Sequence, residues 1–400
     1  MTRRAVWPLI LVWGMAGQAM AAQPAPSVPA AGPDSISALV GRLSIERYKA
    51  DIKALTQFGD RRQGTKRNRD AINWIEGQLR NYGCPTARFS YVYDPARRVR
   101  GAVPANGEFA VGGGRPRGFR RPTAPNTDPN AQPDPKLRQL DSELAPPGPR
   151  EEVYCTKTGA GHPDEMYIVS AHMDGIGYGE AANDDGSGTA LVLELARVLN
   201  GPGVRTDRSV RFILWNNEET GLDGSRAYVA ARRALQGKED PPHSGRYPEP
   251  KWLGVIQHDM VMFDHGMPRS DGTVSRQQRP EADINVEFQA VSRSAAQSQA
   301  LAWALQKADE DYASDYPAVV GPHMTNTDSE PFQDIVASVS VRENDRGTQI
   351  GNGWDPQWHQ PTDLYSTYSD NDFRLGLIAA QTTLAAVARL AGASLTARPK

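Results

Sequence analysis

Residues 166–199 read MYIVSAHMDGIGYGEAANDDGSGTALVLELARVL, and this stretch decides the fold. It opens on a short apolar run, Met166 to Ala171, fit for a buried strand. It closes on Ala190 to Leu199, where Leu191, Leu195, Val198 and Leu199 share one helical face. Between them lies a polar loop containing His172-Met173-Asp174 and Asn183-Asp184-Asp185-Gly186-Ser187-Gly188. The same alternation continues downstream. Strand patterns at Ser209–Trp215, Trp252–Gln257 and Ile335–Val341 are interleaved with helical ones at Gly224–Leu235, Ser292–Asp309 and Phe373–Leu390. Strands alternating with helices predict an α/β fold: a mostly parallel mixed central sheet covered by helices on both faces.

Upstream, Ile72, Ile75, Leu79 and Tyr82 fall on one face of a predicted helix. Thr65 or Asn68 stands where its cap belongs, and Gly83 stands where it should stop. Phe89 to Tyr93 alternates like a strand. From 96 to 150 Gly and Pro dominate, as in Gly112-Gly113-Gly114 and Pro146-Pro147-Gly148. This reads as a flexible surface excursion within one domain spanning 35–395, because too little chain precedes it to make a core of its own.

The N-terminus has the form of an export signal. Arg3 and Arg4 precede an apolar run from Ala5 to Met15, and Ala19-Met20-Ala21 has the small-x-small form of a cleavage site. The run is shorter than the roughly 20 residues a membrane span needs. Residues 1–21 are therefore expected to be a signal peptide and 22–34, rich in Ala and Pro, a disordered linker. The mature chain is expected to be secreted or periplasmic and off the membrane. With 45 basic against 47 acidic residues, it has no global field to draw it to nucleic acid. The two cysteines, Cys84 and Cys155, are too few for a thiolate zinc site, and export favours their pairing.

In open α/β sheets ligands bind at the carboxyl ends of the strands. The predicted strands end in His172-Met173-Asp174, in Asn217-Glu218-Glu219 and in His258-Asp259, with Asn183-Asp184-Asp185 beside the first. So many acids and imidazoles at one edge call for a bound cation, and this donor set suits zinc. Strand alternation would let the Asp174 carboxylate accept from the His172 ring and fix its tautomer. Asp184, in a Gly-rich turn at a helix start, is placed to bridge two metals. Of the adjacent pair Glu218-Glu219, pointing to different sides, one can bind metal while the other holds a proton.

In this order the motifs resemble those of the co-catalytic di-zinc aminopeptidases, metallopeptidase family twenty-eight, of the aminopeptidase Y and bacterial leucyl aminopeptidase type. The resemblance spans roughly 35–390 apart from the Gly/Pro-rich stretch. It implies a zinc exopeptidase fold with two Zn2+ per chain. By the resemblance His172 and Asp259 hold one zinc, Glu219 and a late histidine hold the other, Asp184 bridges both, and Glu218 is the general base. His359, in Trp358-His359-Gln360-Pro361-Thr362-Asp363, fits the late position best, with His323 as the fallback. The implied reaction is hydrolysis of the first peptide bond of a substrate with a free N-terminus by a monomeric enzyme.

Two departures stand out. Thr327-Asp328-Ser329-Glu330-Pro331-Phe332 carries Ser329 where relatives often have a histidine. Trp358 replaces a tyrosine that assists the oxyanion in some relatives, and a wall of the substrate pocket is its other reading. Competing readings are a single-zinc glutaminyl-cyclase-like acyltransferase, which His172 argues against, and a non-catalytic binding module, which the retained Glu218 argues against. A calcium-binding protein is disfavoured by the two histidines. A related di-zinc amidohydrolase would need a dimerisation domain for which too little chain separates Asp259 from His359.

Overall fold

The computed structural model describes residues 33–95, 131–176, 178–264, 284–324, 326–343 and 355–396. The expected signal peptide at 1–21, nearly all of the linker at 22–34, and residues 96–130 of the Gly/Pro-rich stretch lie outside the described residues.

Eight strands form one sheet in the order β1-β2-β5-β3-β6-β9-β7-β8. They are β1 (Thr86–Tyr93), β2 (Gly148–Lys157), β3 (His162–His172), β5 (Arg208–Trp215), β6 (Lys251–His258), β7 (Ile284–Phe288), β8 (Ala318–Gly321) and β9 (Ser338–Arg342). A separate pair joins β4 (Val204–Arg205) to β10 (Ser394–Leu395). The four central strands β5, β3, β6 and β9 run parallel, while β2 against β5 and β7 against β9 are antiparallel. The sheet is mixed and parallel at its centre, as the alternating pattern predicts.

Both faces of the central strands are buried, so these strands read as apolar runs. Phe212 and Leu214 of β5 enter the larger core, whereas Ile213 and Trp215 enter the smaller one. Coverage is unequal. The larger core takes side chains from α1 (Pro33–Val40), α2 (Ile45–Thr56), α3 (Lys66–Asn81), α5 (Gly186–Leu199), α7 (Ala295–Tyr312) and α8 (Asp370–Leu390). The smaller face has α6 (Asp223–Arg232), which supplies Tyr228 and Val229, and one 3-10 turn, which supplies Phe332. There the aromatic rings compensate: Trp215 and Tyr228 meet edge to face at 5.3 Å, and Trp252 and Phe332 at 5.1 Å.

Local signals explain the ends of the elements. Thr65, not Asn68, caps α3, its hydroxyl accepting the Asn68 N–H at 3.2 Å, and Gly83 beyond the helix has a left-handed φ of 75°. Cys84 and Cys155 are disulfide-bonded, joining the segment after α3 to β2. The described part of the Gly/Pro-rich stretch departs from a featureless excursion. Asp134 caps a short helix, α4 (Pro135–Asp141), with Pro135 in its first turn, and β2 begins at Gly148. Among the described residues no helix is long and apolar enough to cross a membrane.

One half-buried acid of α2 makes stability depend on pH. Burial, together with nearby Glu194, pushes the Asp51 carboxyl up to about 7, and its Oδ2 is sealed without a partner. The folded chain therefore holds a proton that the unfolded chain releases near pH 4. Stability contributed here is full below that value and is lost as pH rises through about 7. Asp51→Asn is expected to raise the Tm at pH 8, by the equivalent of a few kcal/mol, and to leave it nearly unchanged at pH 4. Thermal unfolding at the two pH values checks this; an equal gain at both would acquit the charge.

Candidate metal centre

The parallel strands bring their carboxyl ends to one edge, and the predicted residues gather there. His172 is the last residue of β3. Glu218 and Glu219 follow β5 through Asn217, whose φ of 64° turns the chain sharply. Asp259 follows β6, and Asp184 precedes the start of α5. His359 lies on a loop, with a left-handed φ of 56°.

These residues form two clusters, each able to place its ligand atoms within 4.8 Å of one another: His172, Glu218 and Asp259 in one, Asp184, Glu219 and His359 in the other. Asp184 links them. Its Oδ1 lies 3.2 Å from His172 Nε2, and its Oδ2 lies 3.1 Å from His359 Nε2. Glu219 Oε2 is 3.0 Å from the same His359 nitrogen, and Asp259 Oδ1 is 3.7 Å from His172 Nε2. The adjacent glutamates thus part company, one to each cluster. His323, the fallback, instead forms a β-bridge with Gln289 and is in neither cluster.

The expected contact of Asp174 is corrected. His172 Nδ1 is hydrogen-bonded to the main-chain oxygen of Asp174 at 2.9 Å, while the carboxylate stands 4.0 Å away. Strand β3 ends at His172, so its alternation does not carry through to Asp174. The carboxylate Oδ1 accepts the Glu218 N–H at 3.2 Å instead. Asp174 therefore orients the imidazole with its carbonyl and anchors Glu218 with its side chain.

Four residues to which the sequence assigned no role hold the ligands in place. Asp185 caps α5 through the Gly188 N–H at 2.9 Å, and also accepts from the N–H groups of His172 and Met260, each at 3.2 Å. One carboxylate thus ties together the ends of β3, β6 and α5. Asp363 accepts the N–H of Asn183 at 2.9 Å and of Asp184 at 3.2 Å, joining the loop of His359 to that of Asp184. Glu343 accepts from the Asn183 side chain at 3.0 Å. Arg342, at the end of β9, is buried and ion-paired with Asp259 Oδ2. The available signal was position: an Arg or Asp at the carboxyl edge of a parallel sheet stands where ligands stand.

Both departures acquire a structural account. Ser329 is buried under the smaller face, with Asp328 beside it accepting from the Ser225 hydroxyl at 2.5 Å. Trp358 stacks on the imidazole of His359, ring centroids 4.0 Å apart. It is not among the residues lining the narrow cleft at the site, where Ile176, Tyr178 and Gln360 stand beside Asp184, Glu219 and His359.

The electrostatics call for cations. Burial disfavours charge on the imidazoles, yet the carboxylates win. Glu218, Asp184, Asp185 and Asp259 hold His172 well above the usual histidine range, and Glu219 and Asp184 push His359 up to about 10. Burial likewise raises Glu218 well above its usual value, against His172 and with help from Asp259 and Glu219. Glu219 Oε1 is buried without a partner. Buried acids in this excess, mixed with two imidazoles, fit bound divalent metal, which would replace the imidazole protons.

The chain belongs to Peptidase family M28, which residues 153–381, more than half of its length, match. Among curated relatives, aminopeptidase YwaD of Bacillus subtilis (strain 168) is 50% identical over 68 residues, 17% of this chain and 14% of that one. That alignment spans about a seventh of the relative's length. Among solved structures, BSAP, a zinc aminopeptidase from Bacillus subtilis, shares the fold with a TM-score of 0.57 at 16% identity, covering 87% of this chain and 95% of that one. Porphyromonas gingivalis glutaminyl cyclase shares it too, with a TM-score of 0.54 at 14% identity over 86% of this chain and 98% of that one.

Proposed function

We propose that the protein is a zinc-dependent aminopeptidase that removes N-terminal residues from peptides, with two zinc ions held at the two clusters. The observation that carries this reading is Asp184, whose two oxygens face two different histidines. His172 and Asp259 would hold one ion, Glu219 and His359 the other, and Asp184 both. Bound zinc supplies Lewis acidity and a water acidified toward neutrality.

The chain's own residues do the rest. Glu218, beside His172 and Asp259, takes a proton from the attacking water and returns it to the leaving amine. Asp174 holds the Glu218 main chain and the His172 ring in place. The acids around the cleft favour a substrate that presents a free ammonium group. Family membership, YwaD and BSAP support the reaction class. The disulfide supports export to an oxidising compartment, where the chain acts as a monomer on peptides.

Glutaminyl cyclase shares this fold, so the assay must separate the two chemistries. A panel of aminoacyl p-nitroanilides is expected to release p-nitroaniline, with loss of activity in a chelator and recovery on adding zinc. Release from none of them, or cyclisation of glutaminyl substrates with loss of ammonia instead, would sink the aminopeptidase reading.

A further inference from the structure

Arg342 is the last residue of β9, the strand beside β6, and Asp259 is the first residue beyond β6. Its side chain is sealed from solvent, and a buried guanidinium needs an anionic partner. Among the described residues Asp259 is the only carboxylate paired with it, through Oδ2. Arg342 Nε donates to Ser340 Oγ at 3.1 Å, which fixes the plane of the guanidinium. The other oxygen of Asp259, Oδ1, faces His172 Nε2 at 3.7 Å, inside the first cluster. The two oxygens of this ligand are thus divided between a fixed cation and a metal position.

The corresponding acid of the second cluster is not divided. Glu219 Oε2 faces His359 Nε2 at 3.0 Å, while its Oε1 is buried with no partner. Glu219 has both oxygens to offer a metal, and Asp259 has one. A carboxylate that gives one oxygen fills one coordination position; one that chelates fills two. The two metal positions, alike in donor types, are therefore unlike in the room they leave for a further ligand.

We propose that Arg342 restricts Asp259 to a single coordinating oxygen and thereby keeps a coordination position open at the His172–Asp259 metal, the position that an exogenous ligand such as a substrate carbonyl would take. Arg342 is a positioning residue, acting through Asp259. The proposal rests on the di-metal reading above, but its test does not depend on peptidase activity.

The protein is loaded with two equivalents of cobalt(II), and its crystal structure and visible spectrum are recorded with and without fluoride as a probe of the open position. In the wild type Asp259 is expected to bind through Oδ1 alone, at about 2.0–2.2 Å, with Oδ2 still on Arg342. In Arg342→Met the freed oxygen is expected to chelate. The visible absorption then weakens as coordination number rises, and fluoride affinity falls about tenfold or more, within the range set by groups that orient ligands. Arg342→Lys, which keeps the charge, is expected to fall between the two. A wild-type crystal with both Asp259 oxygens on the metal would overturn the inference, as would an Arg342→Met protein with unchanged spectrum and fluoride affinity. Should Arg342→Met not fold, the wild-type crystal alone decides. Failure to bind cobalt at all would instead strike the di-metal reading itself.

Discussion

Glu218→Gln is expected to lower kcat by about 10²–10⁴-fold, the range for removal of a general base, while leaving two zinc ions per chain. The substitution keeps the size of the side chain and both heavy-atom positions. The Glu218 N–H remains bonded to Asp174, so the loop after β5 keeps its course. What it removes is the ability to accept and return a proton. Zinc content decides between two roles that the geometry leaves side by side, because Glu218 also sits in the cluster with His172 and Asp259. If Glu218 acts as base, activity falls and both zincs stay. If it acts as ligand, the zinc at His172–Asp259 leaves with it. Metal analysis after dialysis, beside kcat on the best p-nitroanilide, reads both. Near-normal turnover in this variant would remove Glu218 from the mechanism altogether.

The site was legible in the sequence where topology alone places residues. Parallel strands must end on one edge, so His172, Glu218, Glu219 and Asp259 could be gathered there from the ends of three apolar runs and their connections. Asp184 followed from its place at the start of α5. His359 was legible only through resemblance, since it lies on a loop that no periodicity positions. Asp174 shows the limit of alternation: two residues past the end of a strand, the period of two no longer says which atom meets the ring. Arg342 escaped because an arginine after an apolar run usually marks a strand emerging into solvent; here the pairing of β9 with β6 and β7 keeps it buried.

The fold was legible in the same uneven way. Long runs and strong caps located the central strands and the larger helices. The short strands β7 and β8, of five and four residues, are held by pairing more than by their own pattern, and α4 is held by its Asp-Pro cap within a Gly/Pro-rich context. The unequal cover of the two faces could not be read from element order, which says that helices cross the sheet but not how many cross on each side. That asymmetry matters for the site. The aromatic cluster of the smaller face buttresses Trp215, directly before the Asn216-Asn217 turn that presents the glutamates.

Asp184→Ala is expected to cost both metal positions, whereas His172→Ala or His359→Ala should each cost one. Asp184 spends Oδ1 on the side of His172 at 3.2 Å and Oδ2 on the side of His359 at 3.1 Å, so neither cluster is complete without it. Affinity at each position should fall by at least the 10–100-fold typical of weaker, outer partners, and peptidase activity should fall below detection. The fold should survive, because what holds this loop is the Asp184 N–H on Asp363 and the Asp185 carboxylate on three main-chain amides, and alanine leaves these in place. Circular dichroism of the metal-free protein checks that condition, and metal analysis after dialysis reads the count. Asp184→Asn sharpens the test, since its amide keeps one oxygen and turns an N–H donor toward the other position; it should retain one zinc. Full occupancy of one position in Asp184→Ala would show that Asp184 serves a single metal, and the two clusters would then be independent sites, not one shared centre.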